Sequence, residues 1–291
     1  MDKELQDYFN LTANFNGQIM PVGDVKVPAL DRAFLFGDAV YEVIRVYNSK
    51  FLHLSDHLAR LKTSLFSLKI AGADINDIEL QLNRTFEASK LNNALAYVQV
   101  TRGVAPRTHY YPDPEKCTPN CFMFFTPFDD PFAVQRKTGV KAVFHPDIRW
   151  GRNDIKATSL AANCIAASFA REQDSMEVVF YGKDNYISEG SHTSLFGIKD
   201  GKLLLTPASK NILPGITKKQ IIELAKIKNI ATVEKRLTKE EVLELDEFFL
   251  TGTPEEIIGI IQVDDTKIGQ GCPGPITKRL HEAFREIIAQ T

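Results

Sequence analysis

Short runs of alternating apolar and polar residues occur in both halves of the chain, separated by runs with helical spacing. In the first half, Asn16-Gly17 predicts a tight hairpin turn. Leucines spaced by three and four predict a helix that follows a Ser55 N-cap and stops at Gly72. A second helix is predicted over 76–91. The strands predicted in this half are 40–46, 95–101 and 121–126.

Two prolines and two aspartates in 126–133 predict a linker between two domains, 1–125 and 134–291. The second half again mixes strands and helices, and Thr238-Lys-Glu-Glu241 has the pattern of a capping box. Its predicted strands are 140–144, 177–181, 195–198, 203–205, 247–251 and 257–263, and its predicted helices are 159–171, 217–228 and 276–288. The pattern predicts a mixed α/β (α+β) fold of two small domains.

The composition and charge of the chain limit the kinds of molecule that it is expected to bind. With 44% hydrophobic residues, 25% charged residues and a formal charge of −2, the 291-residue chain has a globular composition. The charge provides no reason to expect nucleic acid or an anionic membrane as a partner. No apolar run approaches the roughly 20 residues of a membrane span, and the first residues carry no secretory pattern. Four cysteines are too few for a disulfide framework. These features predict free thiols and a cytoplasmic location.

Two charged residues, Lys156 and Glu189, are either solvated surface residues or groups with a chemical function. Lys156 lies between the predicted strand 140–144 and an Ala-rich helix. A lysine against an apolar wall can act as a nucleophile or proton carrier, although most lysines are exposed. Glu189 lies between apolar runs and precedes a glycine and small hydroxyl residues. It is either a solvated turn residue or a buried carboxylate that faces a cationic ring nitrogen.

Two further segments have features of phosphate-binding loops. In Leu213-Pro-Gly-Ile216-Thr217, a turn leads into a helix, and helix N-termini bind phosphate through backbone N–H groups. Thr251-Gly-Thr253 ends a predicted strand with small hydroxyl residues. An ordinary capped helix and an ordinary turn are the alternatives.

Arg107-Thr-His109 lies in a loop rich in Gly and Pro. Pro106 favours extended geometry before it, and an extended segment would project Arg107 and His109 to the same side. An arginine and a histidine that converge can bind a carboxylate. The alternative is a mobile basic loop.

Read together, these segments resemble the class IV pyridoxal-phosphate aminotransferases of fold type IV, from about Phe15 to the end of the chain. The family signature usually has asparagine where this chain has Ser194. Within the family, the Arg107-x-His109 pair resembles the D-amino-acid aminotransferases, and Ala161 replaces a tyrosine usual in branched-chain enzymes. The motifs that carry the resemblance are Gly37-Asp-Ala-Val-Tyr41, His57-Leu-Ala-Arg60, Arg107-x-His109, Asp147-Ile-Arg-Trp, Asp154-Ile-Lys156, Glu189-Gly-Ser191 and Leu213-Pro-Gly-Ile-Thr-Lys218.

The resemblance implies a pyridoxal 5′-phosphate (PLP) cofactor in a cleft between the domains, with Lys156 of the C-terminal domain as its covalent anchor and as the proton carrier. Glu189 would face the pyridine nitrogen. It implies a phosphate cup made of Arg60, the backbone of Ile216 and Thr217, and the Thr253 hydroxyl. It further implies that Tyr41, Arg107 and His109 bind the substrate carboxylate, although Tyr41 is also compatible with a core position.

The same resemblance implies an amino acid and a 2-oxo acid as substrates, and a homodimer whose subunits share each active site. The predicted reaction is transamination between D-alanine and 2-oxoglutarate. Three alternatives stay open from the sequence: a branched-chain L-amino-acid aminotransferase, an aminodeoxychorismate lyase, and a silent binding or dimerisation protein of the same fold.

Overall fold

The computed structural model describes residues 2–290, which group into two compact units. The first unit holds residues 2–129 and Ile155–Ser159, and the second holds Asp130–Asp154 and Leu160–Gln290. Each unit has its own β-sheet and apolar core. The predicted mixed α/β fold is confirmed, whereas the predicted interdomain position of the cofactor stays a prediction. Within residues 2–290, no helix is both long enough and apolar enough to cross a membrane.

The first unit is a six-stranded antiparallel sheet in the order β2-β1-β6-β5-β3-β4. Helix α3 packs on β3, and α4 packs on β1 and β6. Their leucine and phenylalanine stripes, with Leu61 and Leu82 fully buried, form the core against the sheet. The elements are α1 (Lys3–Phe9), β1 (Thr12–Phe15), β2 (Gln18–Pro21), α2 (Arg32–Phe36), β3 (Ala39–Tyr47), β4 (Lys50–Phe51), α3 (Leu54–Ser67), α4 (Ile75–Ser89), β5 (Ala94–Thr101) and β6 (Cys121–Pro127).

The predicted ends of α3 are wrong at both termini. His53, in a left-handed conformation, is the N-cap in place of Ser55. At the other end, Lys69 adopts a φ of 55° and the Ile70 N–H bonds to the Leu65 carbonyl at 2.9 Å. This is a Schellman-type stop, in which the buried Ile70 folds back onto the core. The helix therefore ends before Gly72, because the buried apolar residue at 70 determines the turn.

The second unit is built on an eight-stranded sheet in the order β11-β10-β9-β12-β13-β7-β8, with β14 paired to β13. Parallel pairs join β7 to β8, β7 to β13 and β10 to β11. The predicted capping box at Thr238 and Glu241 is confirmed. The elements are α5 (Ala133–Thr138), β7 (Val140–Pro146), α6 (Ala161–Glu172), β8 (Glu177–Tyr181), β9 (Ser194–Lys199), β10 (Lys202–Leu205), α7 (Ile216–Ile227), β11 (Thr232–Glu234), α8 (Lys239–Leu243), β12 (Glu247–Gly252), β13 (Glu256–Val263), β14 (Thr266–Lys267) and α9 (Pro275–Gln290).

The segment Ile155–Ser159 groups with the first unit, although the domain prediction placed it in the C-terminal domain. The reason is backbone pairing with β3: the Tyr41 N–H bonds to the Lys156 carbonyl, and the Thr158 N–H bonds to the Ala39 carbonyl, both at 3.0 Å. A short antiparallel bridge thus attaches the segment to the sheet. The proposed linker 126–133 and the other domain limits stay predictions.

Candidate active site

Lys156 lies in the first unit beside Tyr41, and the backbones of these two residues are hydrogen-bonded to each other. The Lys156 Nζ lies 4.3 Å from the centroid of the Tyr41 ring, and the Lys156 N–H bonds to Ser64 Oγ at 3.2 Å. Gly37 lets Ser159, at the end of the same segment, lie close to the backbone before β3, since a Cβ at Gly37 would lie 2.6 Å from Ser159 Oγ. The structure therefore brings together two residues that the sequence analysis had selected.

Arg60 is bound to a buried carboxylate on β3. Its Nε and Nη2 donate to the two oxygens of Glu42, each at 2.7 Å. His57, one turn earlier on α3, places its Nδ1 at 2.7 Å from Glu42 Oε2. All three side chains are buried. Arg60 is thus a cation whose charge is already matched by Glu42.

Burial raises the pKa of Glu42, but Arg60 and His57 outweigh it and lower that pKa to about 2. Burial, together with the positive charges of Arg60 and Lys156, lowers the pKa of His57, although the Glu42 carboxylate opposes this change. A neutral imidazole beside a carboxylate must carry its proton on Nδ1. His57 therefore donates to Glu42, and the cluster holds one arginine and one carboxylate in charged form.

The loop with Arg107 and His109 turns at Arg107 and is not extended there. The Thr108 N–H bonds to the Pro106 carbonyl at 2.8 Å, which closes a tight turn at Arg107. The two exposed side chains nevertheless converge on Phe36: the Arg107 guanidinium carbon lies 5.2 Å from that ring centroid, and the His109 ring lies 5.8 Å from it. The pair meets on an aromatic platform supplied by α2.

Glu189 lies buried in the second unit, where it accepts two hydrogen bonds. Arg149 Nη1 donates to Oε1 at 2.6 Å, and the Leu213 N–H donates to Oε2 at 3.1 Å. Arg149 also donates to both oxygens of Asp147, at 3.0 and 2.8 Å, and its guanidinium carbon lies 4.4 Å from the Phe180 ring centroid. One buried arginine therefore serves two carboxylates.

Burial raises the pKa of Glu189 to about 7, and the opposing effects of Arg149 and the Leu213 amide do not cancel it. Burial also raises the pKa of Asp147, but Asp147 is less buried, and the two side-chain hydrogen bonds and the charge of Arg149 outweigh burial and lower that pKa. A carboxyl that titrates near neutral pH can hold or release a proton toward a basic ring nitrogen. The sequence predicted a buried carboxyl group at Glu189 but not its titration near neutral pH.

The start of α7 and the end of β12 supply a place for an anion in the second unit. Gly215 is the N-cap of α7, with no side chain capping the helix, so the backbone N–H groups of Ile216 and Thr217 lie in its first turn. A Cβ at Gly215 would lie 2.8 Å from Ser194 Oγ. Ser194 is in turn the register partner of Thr251. A small side chain at 194 therefore fits beneath the turn.

Thr251 Oγ1 is buried and has no hydrogen-bond partner, which is costly unless a ligand group completes it. Thr253 lies two residues further on, in the turn between β12 and β13. The unpartnered hydroxyl and the uncapped helix start fit a bound phosphate. Among residues 2–290, no group of three or more His, Cys, Asp or Glu side chains is placed to hold a metal ion.

Glu42, His57 and Arg149 contribute to these clusters, but no role was predicted for them from the sequence. A signal was present for the first two. Glu42 interrupts an apolar strand, and His57 lies on the leucine stripe of α3, where a polar residue needs a buried partner. Arg149 lies in an irregular segment after β7, so no periodic pattern indicated its burial, and only the motif Asp147-Ile-Arg-Trp included it.

The family model described as aminotransferase class IV matches residues 39–263, a range that includes Lys156, Glu189 and Thr253. The chain belongs to the class IV aminotransferases. The D-alanine aminotransferase of Bacillus licheniformis is 34% identical to it over 278 residues, which cover 94% of this chain and 96% of that protein.

Solved structures of class IV aminotransferases share the fold. The branched-chain amino acid aminotransferase of Escherichia coli has a TM-score of 0.87 and 27% identity, covering 96% of this chain and 95% of that one. The branched-chain aminotransferase of Thermobaculum terrenum, solved in its PLP form, has a TM-score of 0.84 at 22% identity, covering 97% and 95%. The second likeness concerns the fold alone.

Proposed function

We propose that this class IV aminotransferase uses PLP to transfer the amino group of D-alanine to 2-oxoglutarate. The observation that carries the D-amino-acid assignment is the convergence of Arg107 and His109 on Phe36. Full-length likeness to a D-alanine aminotransferase supports the same assignment. The cofactor assignment is supported by the unpartnered Thr251 hydroxyl and by a carboxyl at Glu189 whose pKa lies near 7.

When bound, PLP withdraws electrons from the amino acid Cα. Lys156 Nζ would hold the cofactor covalently before the substrate arrives and would afterwards remove the Cα proton. Glu189 would hold a proton at the pyridine nitrogen, oriented by Arg149 and the Leu213 amide. Arg60, the N–H groups of Ile216 and Thr217, and the Thr253 hydroxyl would bind the phosphate. These groups fit the cofactor by chemical type.

Tyr41, Arg107 and His109 would bind the substrate carboxylate. Arg107 supplies a guanidinium fork, which suits a carboxylate better than a single ammonium does. The shared active site of a homodimer and a cytoplasmic location belong to this proposal and stay predictions.

A half-reaction tests the substrate. Purified protein is mixed separately with D-alanine and L-alanine in the absence of a 2-oxo acid, and the absorbance of the bound cofactor is followed. We expect D-alanine to bleach the cofactor band and L-alanine to leave it unchanged. Bleaching by L-alanine alone would contradict the proposal.

Lys156→Ala tests the anchor. Borohydride followed by peptide mass analysis should attach the cofactor to Lys156 in the natural protein and to no peptide in the variant. We expect transamination to fall at least roughly 1,000-fold, since the variant lacks both the anchor and the proton carrier. Lys141→Ala, a half-exposed lysine of the second unit, is the matched control.

A branched-chain L-amino-acid aminotransferase is the second candidate, because a branched-chain enzyme of Escherichia coli shares the fold over 96% of the chain. L-Leucine distinguishes the two candidates in the same half-reaction. Bleaching by L-leucine and not by D-alanine would select this alternative.

A further inference from the structure

The loop of residues 103–111, called here the receptor loop, is tied to two buried arginines of the first unit. Arg32 Nη1 donates to the Thr108 carbonyl at 2.8 Å. The guanidinium carbon of Arg102 lies 3.7 Å from the ring centroid of Tyr111. The loop is thus tied at two points on either side of His109.

Both arginines donate hydrogen bonds to the same carboxylate, that of Asp38. Arg32 Nε donates to Asp38 Oδ2 at 2.7 Å, and Arg102 donates to Asp38 through Nε at 2.7 Å and Nη2 at 2.9 Å. All three side chains are buried, with Arg32 only 2% exposed. Charged hydrogen bonds in such surroundings keep their geometry because water does not compete for them.

Arg32 also controls the platform of the receptor loop. It begins α2, the helix that ends with Phe36, and its guanidinium carbon lies 4.7 Å from the Phe36 ring centroid. Arg107 and His109 contact the same ring and flank the carbonyl that Arg32 holds. Backbone and platform are therefore positioned by one side chain.

We infer that Arg32, held by Asp38, is a positioning residue that sets Arg107 and His109 to bind the substrate carboxylate. This inference rests on the proposed function and extends it, since recognition of the carboxylate then depends on a buried arginine outside the loop. No contact between Arg32 and the substrate is required. Its effect passes through the Thr108 carbonyl and the Phe36 ring.

The test is Arg32→Met in the cofactor-loaded protein, with D-alanine as substrate. Methionine keeps most of the apolar length but cannot donate to Thr108. We expect KM for D-alanine to rise roughly tenfold or more, the effect of one charge-assisted hydrogen bond. We expect kcat and the cofactor absorbance to change little, because Lys156 and Glu189 are untouched. Arg32→Lys, which retains a charge beside Asp38, should restore part of the loss.

Arg45→Met is the matched control, since Arg45 is a buried arginine of the same unit that stacks on Tyr47 and Phe128. It should leave KM unchanged even if the melting temperature falls. An equal rise of KM in Arg45→Met would overturn the inference, because the effect would then report general loosening of the unit. If Arg32→Met does not fold, Arg32→Lys makes the same comparison.

A double-variant cycle with Arg107→Ala separates this inference from the proposed function. If Arg32 acts through Arg107, then Arg32→Met should raise KM less than about twofold in the Arg107→Ala background. If the KM increases of the two single variants multiply in the double variant, the inference is overturned and the proposed function still stands. If Arg107→Ala alone leaves KM for D-alanine unchanged, the proposed role of the loop fails instead. A further measurement needs no substrate: we expect the backbone amides of residues 104–111 to exchange hydrogen faster in Arg32→Met than in the natural protein.

Discussion

Glu42 in the first unit and Glu189 in the second are both buried glutamates beside an arginine, yet their pKa values move in opposite directions. The pKa of Glu42 falls to about 2, and that of Glu189 rises to about 7. Burial raises both values, so the difference must come from the partners.

The partners differ in number and in how they are shared. Glu42 receives both donors of the Arg60 fork and a third hydrogen bond from His57. Glu189 receives one bond from Arg149, whose other donors bind Asp147. An arginine shared between two carboxylates does not compensate the burial of either as fully. Of two buried glutamates, Glu42 is therefore a permanent counterion and Glu189 is a titrating group.

Removing Arg149 should change the free energy of unfolding more than any other substitution that tests the contrast between Glu42 and Glu189. In Arg149→Met, the cofactor-free protein should lose about 3–5 kcal/mol of unfolding free energy at pH 8, since two carboxylates keep their burial without a cation. The loss should be smaller at pH 5, where Glu189 can take up a proton. Urea denaturation at the two pH values measures both quantities.

Arg152→Met, which removes a half-exposed arginine paired with Asp154, is the control and should leave the denaturation midpoint unchanged. Equal losses at pH 5 and pH 8 in Arg149→Met would show that Glu189 does not titrate in this range.

The pH dependence of stability should show one limb for each glutamate. The pKa of Glu189 is raised from 4.5, so its contribution to stability is full below pH 4.5 and is lost as the pH rises to about 7. The pKa of Glu42 is lowered, so its contribution is present above pH 4.5 and is lost as the pH falls to about 2. Each limb should span about 3 kcal/mol, since a tenfold change in protonation equilibrium is about 1.4 kcal/mol.

Two isosteric variants assign the limbs. Glu189→Gln should flatten the limb between pH 4.5 and 7 in the cofactor-free protein and keep the acid limb. Glu42→Gln should flatten the acid limb and keep the other. If Glu189→Gln retains the neutral limb, another group causes it, and the contrast between the two glutamates is lost.

His57→Leu should give the smallest effect, because it removes one of three bonds to Glu42 and leaves Arg60 in place. We expect a loss of about 1–2 kcal/mol at pH 7 and an acid limb that moves to higher pH, toward the behaviour of Glu189. In the Glu42→Gln background, where the acid limb is already flat, the same change should leave the pH dependence of stability at low pH unaltered. A change in that pH dependence would mean that His57 acts on a different group.

Local pattern predicted most of the elements of the fold. The Asn16-Gly17 hairpin, the capping box at Thr238 and the main strands are where the sequence indicates them, since each depends on neighbours in the chain. The ends of α3 differ, because the burial of Ile70 and a left-handed Lys69 replace the expected glycine stop. The fold of the loop at Arg107 differs for a similar reason, a turn held by Arg32 from another element.

The sequence by itself determined the family of this chain and its two central candidates, Lys156 and Glu189, because the motifs that carry them are short and ordered. Only the tertiary structure decided that residues 155–159 pair with β3 and that Glu42 and Glu189 titrate far apart. A pKa depends on burial and on the number of donors that reach the group. Those donors come from helices and loops distant in the chain, and no local pattern records how they are shared.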